Sequence, residues 1–406
     1  MTPEFEERLK KAIDDRTLPA TVLVARDKSG KIDYTFAHGP TTLEPDAPPI
    51  TPTTMMTMAS MTKLITATCL LKLVEGKILE IDEDVTKYVE TLAQQPILTG
   101  FDAAGQPTYK KRETPITLRH LLTHSAGTGY ILMEEKLAKW AQATGRPLPV
   151  PLRHSPLSGG MSVDSRFGYP LLFEPGQGWV YGSSMDWAGR LIEKLTGAFF
   201  DDFVYENVLS RVGVPKGAIT FHPGRFDEPV YDKMAGMAER NAETGKLEHK
   251  ETEYDEDNEG FGGEGLYGGV GPYMKVLYSI LMDDGKILKP ETAKWLFEPL
   301  LRPVEKKAMN ELMQNPDWAV GHIPGGVEYD WSAGGLLSMS GEGLGKRKTK
   351  FLQWGGAWNL CWFIDREAGV CGAVGTQVFP PSDPQVRASM KEFEDVVYSK
   401  LEHAGS

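Results

Sequence analysis

Ala59-Ser60-Met61-Thr62-Lys63, continued by the apolar run Leu64-Ile65-Thr66-Ala67-Thr68-Cys69-Leu70-Leu71, is the stretch around which the rest of the chain is organised. The run predicts a buried helix with Ser60 and Lys63 at its start. Residues at i and i+3 share a helix face, so the ammonium of Lys63 can sit beside the hydroxyl of Ser60. The positive end of the helix dipole favours negative charge near the serine, and burial favours the neutral form of an amine. A serine is a weak nucleophile until a base takes its proton, and a neutral lysine can be that base. Alone, the spacing fits an N-capping serine and a surface lysine better than a catalytic pair, so the remainder of the chain has to decide.

The chain has 406 residues, 41% of them hydrophobic, enough for two or three domains or one large composite one. A net charge of -12 argues against nucleic acid and anionic membrane as partners. The charged opening Met1-Thr2-Pro3-Glu4-Phe5-Glu6-Glu7 lacks the apolar core of a signal peptide, and no apolar run approaches a membrane span. Cys69, Cys361 and Cys371 sit in apolar contexts without metal-type spacing, as expected of reduced core thiols in a soluble cytoplasmic protein.

Residues 3–15 predict an amphipathic helix, and 21–25 with 32–36 predict a hairpin closed by Asp27-Lys28-Ser29-Gly30. The Ser60 helix is expected to end at a C-cap glycine, Gly76. A helix-rich region follows from about residue 81, containing a capped helix over 116–124 and an amphipathic one over 186–196. Residues 248–259 read as an acidic solvated loop, and a Gly-rich stretch over 260–271 precedes a helix over 273–282. Strands are expected at 331–339, 351–354, 360–364 and 370–378, and a last helix over 384–403. Strands near both ends with helices between them give an α+β fold: an antiparallel sheet flanked by the terminal helices, with a mostly helical region inserted. The division expected is a discontinuous sheet domain, 1–85 with 205–406, and a helical domain, 86–204, with the active site at their interface.

Tyr181 follows the turn Pro175-Gly176-Gln177-Gly178 on a short loop; a phenol beside a lysine can act as a base or relay, although many loop tyrosines are structural. Trp354-Gly355-Gly356-Ala357 lies in a predicted strand, where glycines permit close approach of a backbone or ligand, or simply a tight bend. Such a strand edge could supply an N–H that completes an oxyanion hole with the N–H of Ser60. His120 and His124 stand one helical turn apart without a third ligand and read as structural, with no metal site. Gly263-Glu264-Gly265-Leu266-Tyr267-Gly268 matches a dinucleotide fingerprint but follows no hydrophobic strand, and residues 255–266 lack the final glutamate of a calcium loop. No Gly-x-Ser-x-Gly elbow occurs. No cofactor is called for.

Ser60-x-x-Lys63, Tyr181-x-Ser183 and Trp354-Gly355-Gly356, in this order, resemble the serine β-lactamase and penicillin-recognising family, in the class C-like branch that includes family VIII carboxylesterases. The stretch 116–127 and the Gly-rich loop before Tyr273 also look like that family, and the likeness spans nearly the whole chain. Gly178-Trp179-Val180-Tyr181-Gly182, Asp186-Trp187-Ala188-Gly189 and Gly271-Pro272-Tyr273-Met274 are similar to fungal acyltransferases that move a short branched acyl group onto a polyketide alcohol. The resemblance implies Ser60 as nucleophile, Lys63 and Tyr181 as the groups sharing its proton, and the N–H groups of Ser60 and Ala357 as the oxyanion hole. Ser183 and Trp354 stand where β-lactamases of this type carry Asn and Lys, which removes the charge partner of a lactam carboxylate. Trp354, Gly355 and Gly356, with Trp331 and Trp358, are then expected to bind neutral, apolar substrates.

The implied reaction is acyl transfer through an acyl-enzyme, from an ester or thioester to a polyketide-type alcohol of secondary metabolism. The alternative is short-chain ester hydrolysis by a family VIII carboxylesterase; β-lactamase or D,D-peptidase activity and a non-catalytic binding protein rank lower. The partners implied are small molecules and, by the same analogy, an acyl-carrier domain of a polyketide synthase.

Overall fold

The strand Thr21–Asp27 (β1) shows how alternation in sequence builds the centre of the molecule. Val22 and Val24 point into one apolar cluster while Leu23 and Ala25 point into another, the two-residue period of a strand buried on both faces. The computed structural model describes residues 1–147, 162–225, 234–252 and 259–405. Besides β1, its main sheet contains β2 (Asp33–His38), β3 (Glu328–Trp331), β4 (Leu336–Ser340), β5 (Phe351–Gly356), β6 (Leu360–Asp365) and β7 (Val370–Gly375). The seven strands lie in the order β3-β4-β5-β6-β7-β1-β2, each pair antiparallel, so the N-terminal hairpin completes a sheet begun by the C-terminal meander.

One face is covered by the terminal helices α1 (Pro3–Asp14) and α6 (Pro384–Gly405). Phe5, Leu9 and Ile13 of α1 meet Val386, Met390, Phe393 and Val397 of α6 in the cluster that also holds Leu23, Phe351 and Phe363. The other face packs against α2 (Thr62–Glu75) and α5 (Val270–Met282), with α3 (Leu118–Leu122) and α4 (Ser184–Thr196) beyond. Helix α2 is buried from Thr62 through Leu71, so it has no polar face and belongs at the centre. The α+β architecture with an antiparallel sheet and flanking terminal helices is therefore present.

Several local expectations change. Gly76 does follow α2, but it keeps right-handed geometry (φ -77°), and Lys77 takes the left-handed position (φ 57°) while Ile78 N–H bonds back to Leu73 O at 2.9 Å. The single strand expected over 331–339 is two strands separated by a turn in which Ser332 Oγ accepts from the N–H groups of Gly334 and Gly335. The 248–259 stretch begins as a strand, Leu247–Lys250, paired with Met237–Arg240; residues 253–258, including most of the rejected calcium loop, lie outside the described residues. A hairpin of Ile97–Phe101 and Pro107–Lys110 stands in the region read as helical, its turn fixed by Asp102 Oδ1, which accepts from the N–H groups of Ala104 and Gln106. Among the described residues no helix is long and apolar enough to cross a membrane.

Candidate active site

Ser60 sits in a single 3-10 turn, Ala59–Met61, that runs directly into α2. Ala59 is held at φ 45°, a conformation L-residues adopt at a cost, which turns the chain sharply just before the half-buried serine. Lys63, on the first turn of α2, is buried, and its Nζ donates to Ser60 Oγ at 3.0 Å, to Tyr130 Oη at 3.3 Å and to the carbonyl of Gly263 at 2.7 Å. The same ammonium lies 4.7 Å from the ring centroid of Tyr181 and 5.5 Å from that of Tyr130. The i, i+3 spacing thus brings the hydroxyl and the amine into contact, as read from the sequence.

Tyr181 and Tyr130 come from two loops that touch. A Cβ on Gly182 would lie 2.0 Å from Thr128 O, so only glycine lets these backbones pass at this distance. The rings of Tyr130 and Tyr181 meet edge to face, 5.9 Å apart. Tyr130 Oη donates to Asp186 Oδ2 at 3.0 Å, and Asp186 Oδ1 accepts from Gly263 N at 2.9 Å. Asp186 stands in the first turn of α4, where the helix dipole favours a carboxylate, but burial pushes its carboxyl up to about 7, with the charge of Glu264 adding and that of Lys63 opposing. Glu264 is itself held by Arg166 at 2.8 Å. Burial first, and then the nearby Asp186, raises the Tyr130 phenol well above its ordinary value, so it stays a hydroxyl.

A wall of indoles surrounds Tyr181. Trp354 Nε1 donates to Tyr181 Oη at 2.9 Å, and the rings of Trp318, Trp354 and Trp179 lie 5.5, 5.0 and 6.4 Å from that of Tyr181. Trp331 stacks edge-on against Trp354 at 4.7 Å and gives its own N–H to Leu122 O at 3.1 Å. His124 is enclosed by this cluster, 4.8 Å from the Tyr181 ring, and desolvation, with Lys63 adding, holds it neutral. His120 serves the helix: its Nδ1 accepts from Thr117 N–H at 3.1 Å in a capping box at the start of α3.

The end of β5 closes the site from the other side. A Cβ on Gly356 would lie 2.3 Å from Met58 O, so the strand end rests on the turn that carries Ser60, and Ala357 follows immediately. Gly355 is equally constrained, its Cβ position being 2.4 Å from Val320 O.

Ser60, Lys63, Tyr181, Trp354, Gly355, Gly356, Ala357 and Trp331 are therefore gathered in one place. Trp358 is not part of the indole cluster; among the described residues its ring contact is with Phe379, at 6.3 Å. Ser183 is fully buried, with its N–H on Thr128 O, and presents no surface to a ligand. Sequence reasoning missed Tyr130, Asp186 and Trp318. Tyr130 lies at the edge of the stretch Ser125-Ala126-Gly127-Thr128-Gly129-Tyr130, whose glycines are the signal of a tight loop, while Asp186 was marked only by the likeness of Asp186-Trp187-Ala188-Gly189 to fungal acyltransferases, which gave it no role. The stretch 263–268 is no dinucleotide loop: a Cβ on Gly263 would sit 2.4 Å from Asp186 Oδ2, so this glycine serves close approach to α4.

The chain has relatives among known proteins. The chain is 32% identical over 407 residues to the monacolin J acid methylbutanoyltransferase of Aspergillus terreus, covering 98% of this chain and 96% of that protein. It is also 32% identical to a lovastatin esterase of Penicillium rubens, over 96% of each chain. Among solved structures, a mutant of simvastatin synthase (LovD) from Aspergillus terreus superposes with a TM-score of 0.87 at 33% identity, covering 98% of this chain and 97% of that one. The model of the family described as Beta-lactamase matches residues 6–394, and with a lysine that touches both a half-buried serine hydroxyl and a tyrosine ring, the chain belongs to the beta-lactamase family.

Proposed function

We propose that this enzyme transfers a short acyl group from an ester or thioester to a polyketide-type alcohol through an acyl-enzyme on Ser60. The observation that carries the reading is the 3.0 Å contact between Lys63 Nζ and Ser60 Oγ in a buried, aromatic-walled site. Ser60 Oγ attacks the acyl carbonyl as Lys63 and Tyr181 take its proton, and they return it to the leaving group. The N–H groups of Ser60 and Ala357, one on the turn before α2 and the other just beyond β5, hold the oxyanion. The acceptor alcohol then enters, loses its proton to the same pair and carries the acyl group away.

With Trp354 next to Tyr181, the site offers an indole where a lactam carboxylate would need a cation, which favours neutral substrates. Trp354, Trp331, Gly355 and Gly356 form the wall the acyl chain meets; Trp358 has the weakest claim to that role. In this reading the site lies between the sheet part, 1–85 with 205–406, and the helical part, 86–204. The enzyme works in the cytoplasm, and an acyl-carrier domain of a polyketide synthase can serve as donor. Hydrolysis is the second reading, favoured by the equal identity to the esterase.

A serine-reactive fluorophosphonate, followed by intact mass, tests the nucleophile: one adduct is expected on the wild type and none on Ser60→Ala. An undiminished adduct on Ser60→Ala would overturn the assignment. A short-chain acyl thioester offered with and without polyketide alcohols separates the two reactions; free acid as the sole product across the panel would leave hydrolysis.

A further inference from the structure

Lys63 has an acceptor for each of its three N–H bonds: Ser60 Oγ, Tyr130 Oη and Gly263 O. An ammonium placed in this way has no lone pair and cannot take the serine proton. Something must first remove a proton from it. The Tyr130 hydroxyl accepts from Lys63 and donates to Asp186 Oδ2, forming an unbroken line from the serine to a fully buried carboxylate.

We propose that Tyr130 and Asp186 are the proton acceptor that turns Lys63 into a base, with Tyr130 as the relay and Asp186 as the reservoir. One N–H bond of Lys63 breaks as an O–H bond forms on Tyr130, and the original Tyr130 proton moves to Asp186 Oδ2. Lys63 is left as a neutral amine, Asp186 as a carboxylic acid, and the total charge is unchanged. Rotation about the Cε–Nζ bond then aims the lone pair at Ser60. The inference rests on the reading of Ser60 as nucleophile and Lys63 as its base.

The surroundings of Asp186 suit a group that changes protonation near neutrality. Lys63 on α2, Tyr130, Tyr169, Arg166 and Glu264 all act on it, and Glu264 is paired with Arg166. Burial is the largest influence and favours the acid form, and the carboxylate accepts from Tyr130 Oη and Gly263 N–H. Tyr130 keeps its own proton strongly, so it hands one on without resting as a phenolate.

The rate of fluorophosphonate labelling as a function of pH is the test, since it needs no natural substrate. Two variants are compared with wild type: Asp186→Asn, whose amide oxygen can still accept from Gly263 N–H, and Tyr130→Phe, which breaks the relay and leaves the charge. In both, the acid limb is expected to move up by at least about one pH unit, with labelling at pH 7 at least about tenfold slower, since one pKa unit is a factor of ten. The double variant should be no slower than the slower single one, because either change severs the same line. A limb that stays put or moves down in either variant, even with slower labelling at every pH, overturns the proposal and leaves Asp186 a structural cap. Should the variants fail to fold, the proton inventory of wild-type labelling in mixed light and heavy water decides: a curve for two or more protons supports the relay, and a straight line overturns it. Loss of labelling in Ser60→Ala with an unmoved limb sinks the relay alone, whereas persistent labelling in Ser60→Ala sinks the underlying reading.

Discussion

Replacing Trp354 by Phe removes one hydrogen bond and leaves an aromatic ring in its place. Trp354 Nε1 donates to Tyr181 Oη at 2.9 Å, and both side chains are buried, at 5% and 7% exposure, so water has little room to replace the indole. If Tyr181 takes the proton of Ser60, it does so as a phenolate, and the Trp354 N–H stabilises that anion and keeps the base available. A hydrogen bond to a charged group contributes about 1.5–3 kcal/mol, which corresponds to an acylation rate about 10- to 150-fold lower in Trp354→Phe. The assay is burst-phase acylation with a chromogenic ester, paired with chemical denaturation to separate folding losses from catalytic ones. Trp331→Phe is the companion: it loses an N–H given to Leu122 O and similar packing, but leaves the Tyr181 hydroxyl its donor, so it should slow acylation less. Acylation in Trp354→Phe within threefold of wild type would refute the reasoning, and so would an equal loss in Trp331→Phe.

Gly182→Ala is expected to destabilise the fold by about 1–3 kcal/mol or more, since its methyl would meet the backbone oxygen of Thr128 at 2.0 Å; a urea midpoint and slope equal to wild type would contradict this. His120, lowered to about 4 chiefly by burial, makes stability sensitive to acid. Its contribution is complete above the unfolded value near 6.5 and is lost as pH falls towards 4, because the unfolded chain binds a proton the folded one refuses. Unfolding free energy should fall by up to about 1.4 kcal/mol per pH unit across that window, and His120→Gln, which can keep the cap on Thr117 N–H, should flatten the slope; an unchanged slope would exclude this role.

The pattern of legible and illegible features follows from sequence distance. Val22-Leu23-Val24-Ala25 and the Phe5, Leu9 and Ile13 stripe are carried by neighbouring residues, and each folded as its pattern indicated, while the capped helix expected over 116–124 is shorter, Leu118–Leu122 with Thr117 as its cap. The split near Trp331 was hidden because Ser332-Ala333-Gly334-Gly335 is short enough to read as strand, and its turn is fixed by the Ser332 side chain. The positive φ at Lys77 was hidden because glycine permits that conformation without requiring it.

At the site, Ser60 and Lys63 were readable because three residues of helix fix their relative placement whatever else the chain does. Tyr130 and Asp186 were not, because Lys63 reaches Tyr130 across 67 residues and Tyr130 reaches Asp186 across 56. Trp354 was expected from the family resemblance to meet substrate, yet its indole N–H is taken by Tyr181, 173 residues away. The sequence by itself determined the sheet, the flanking helices and the serine–lysine pair, since local periodicity and spacing specify all three. Only the tertiary structure decided which distant polar atoms meet that pair, because those contacts depend on loops passing at glycine-only distances and on burial that no local pattern encodes.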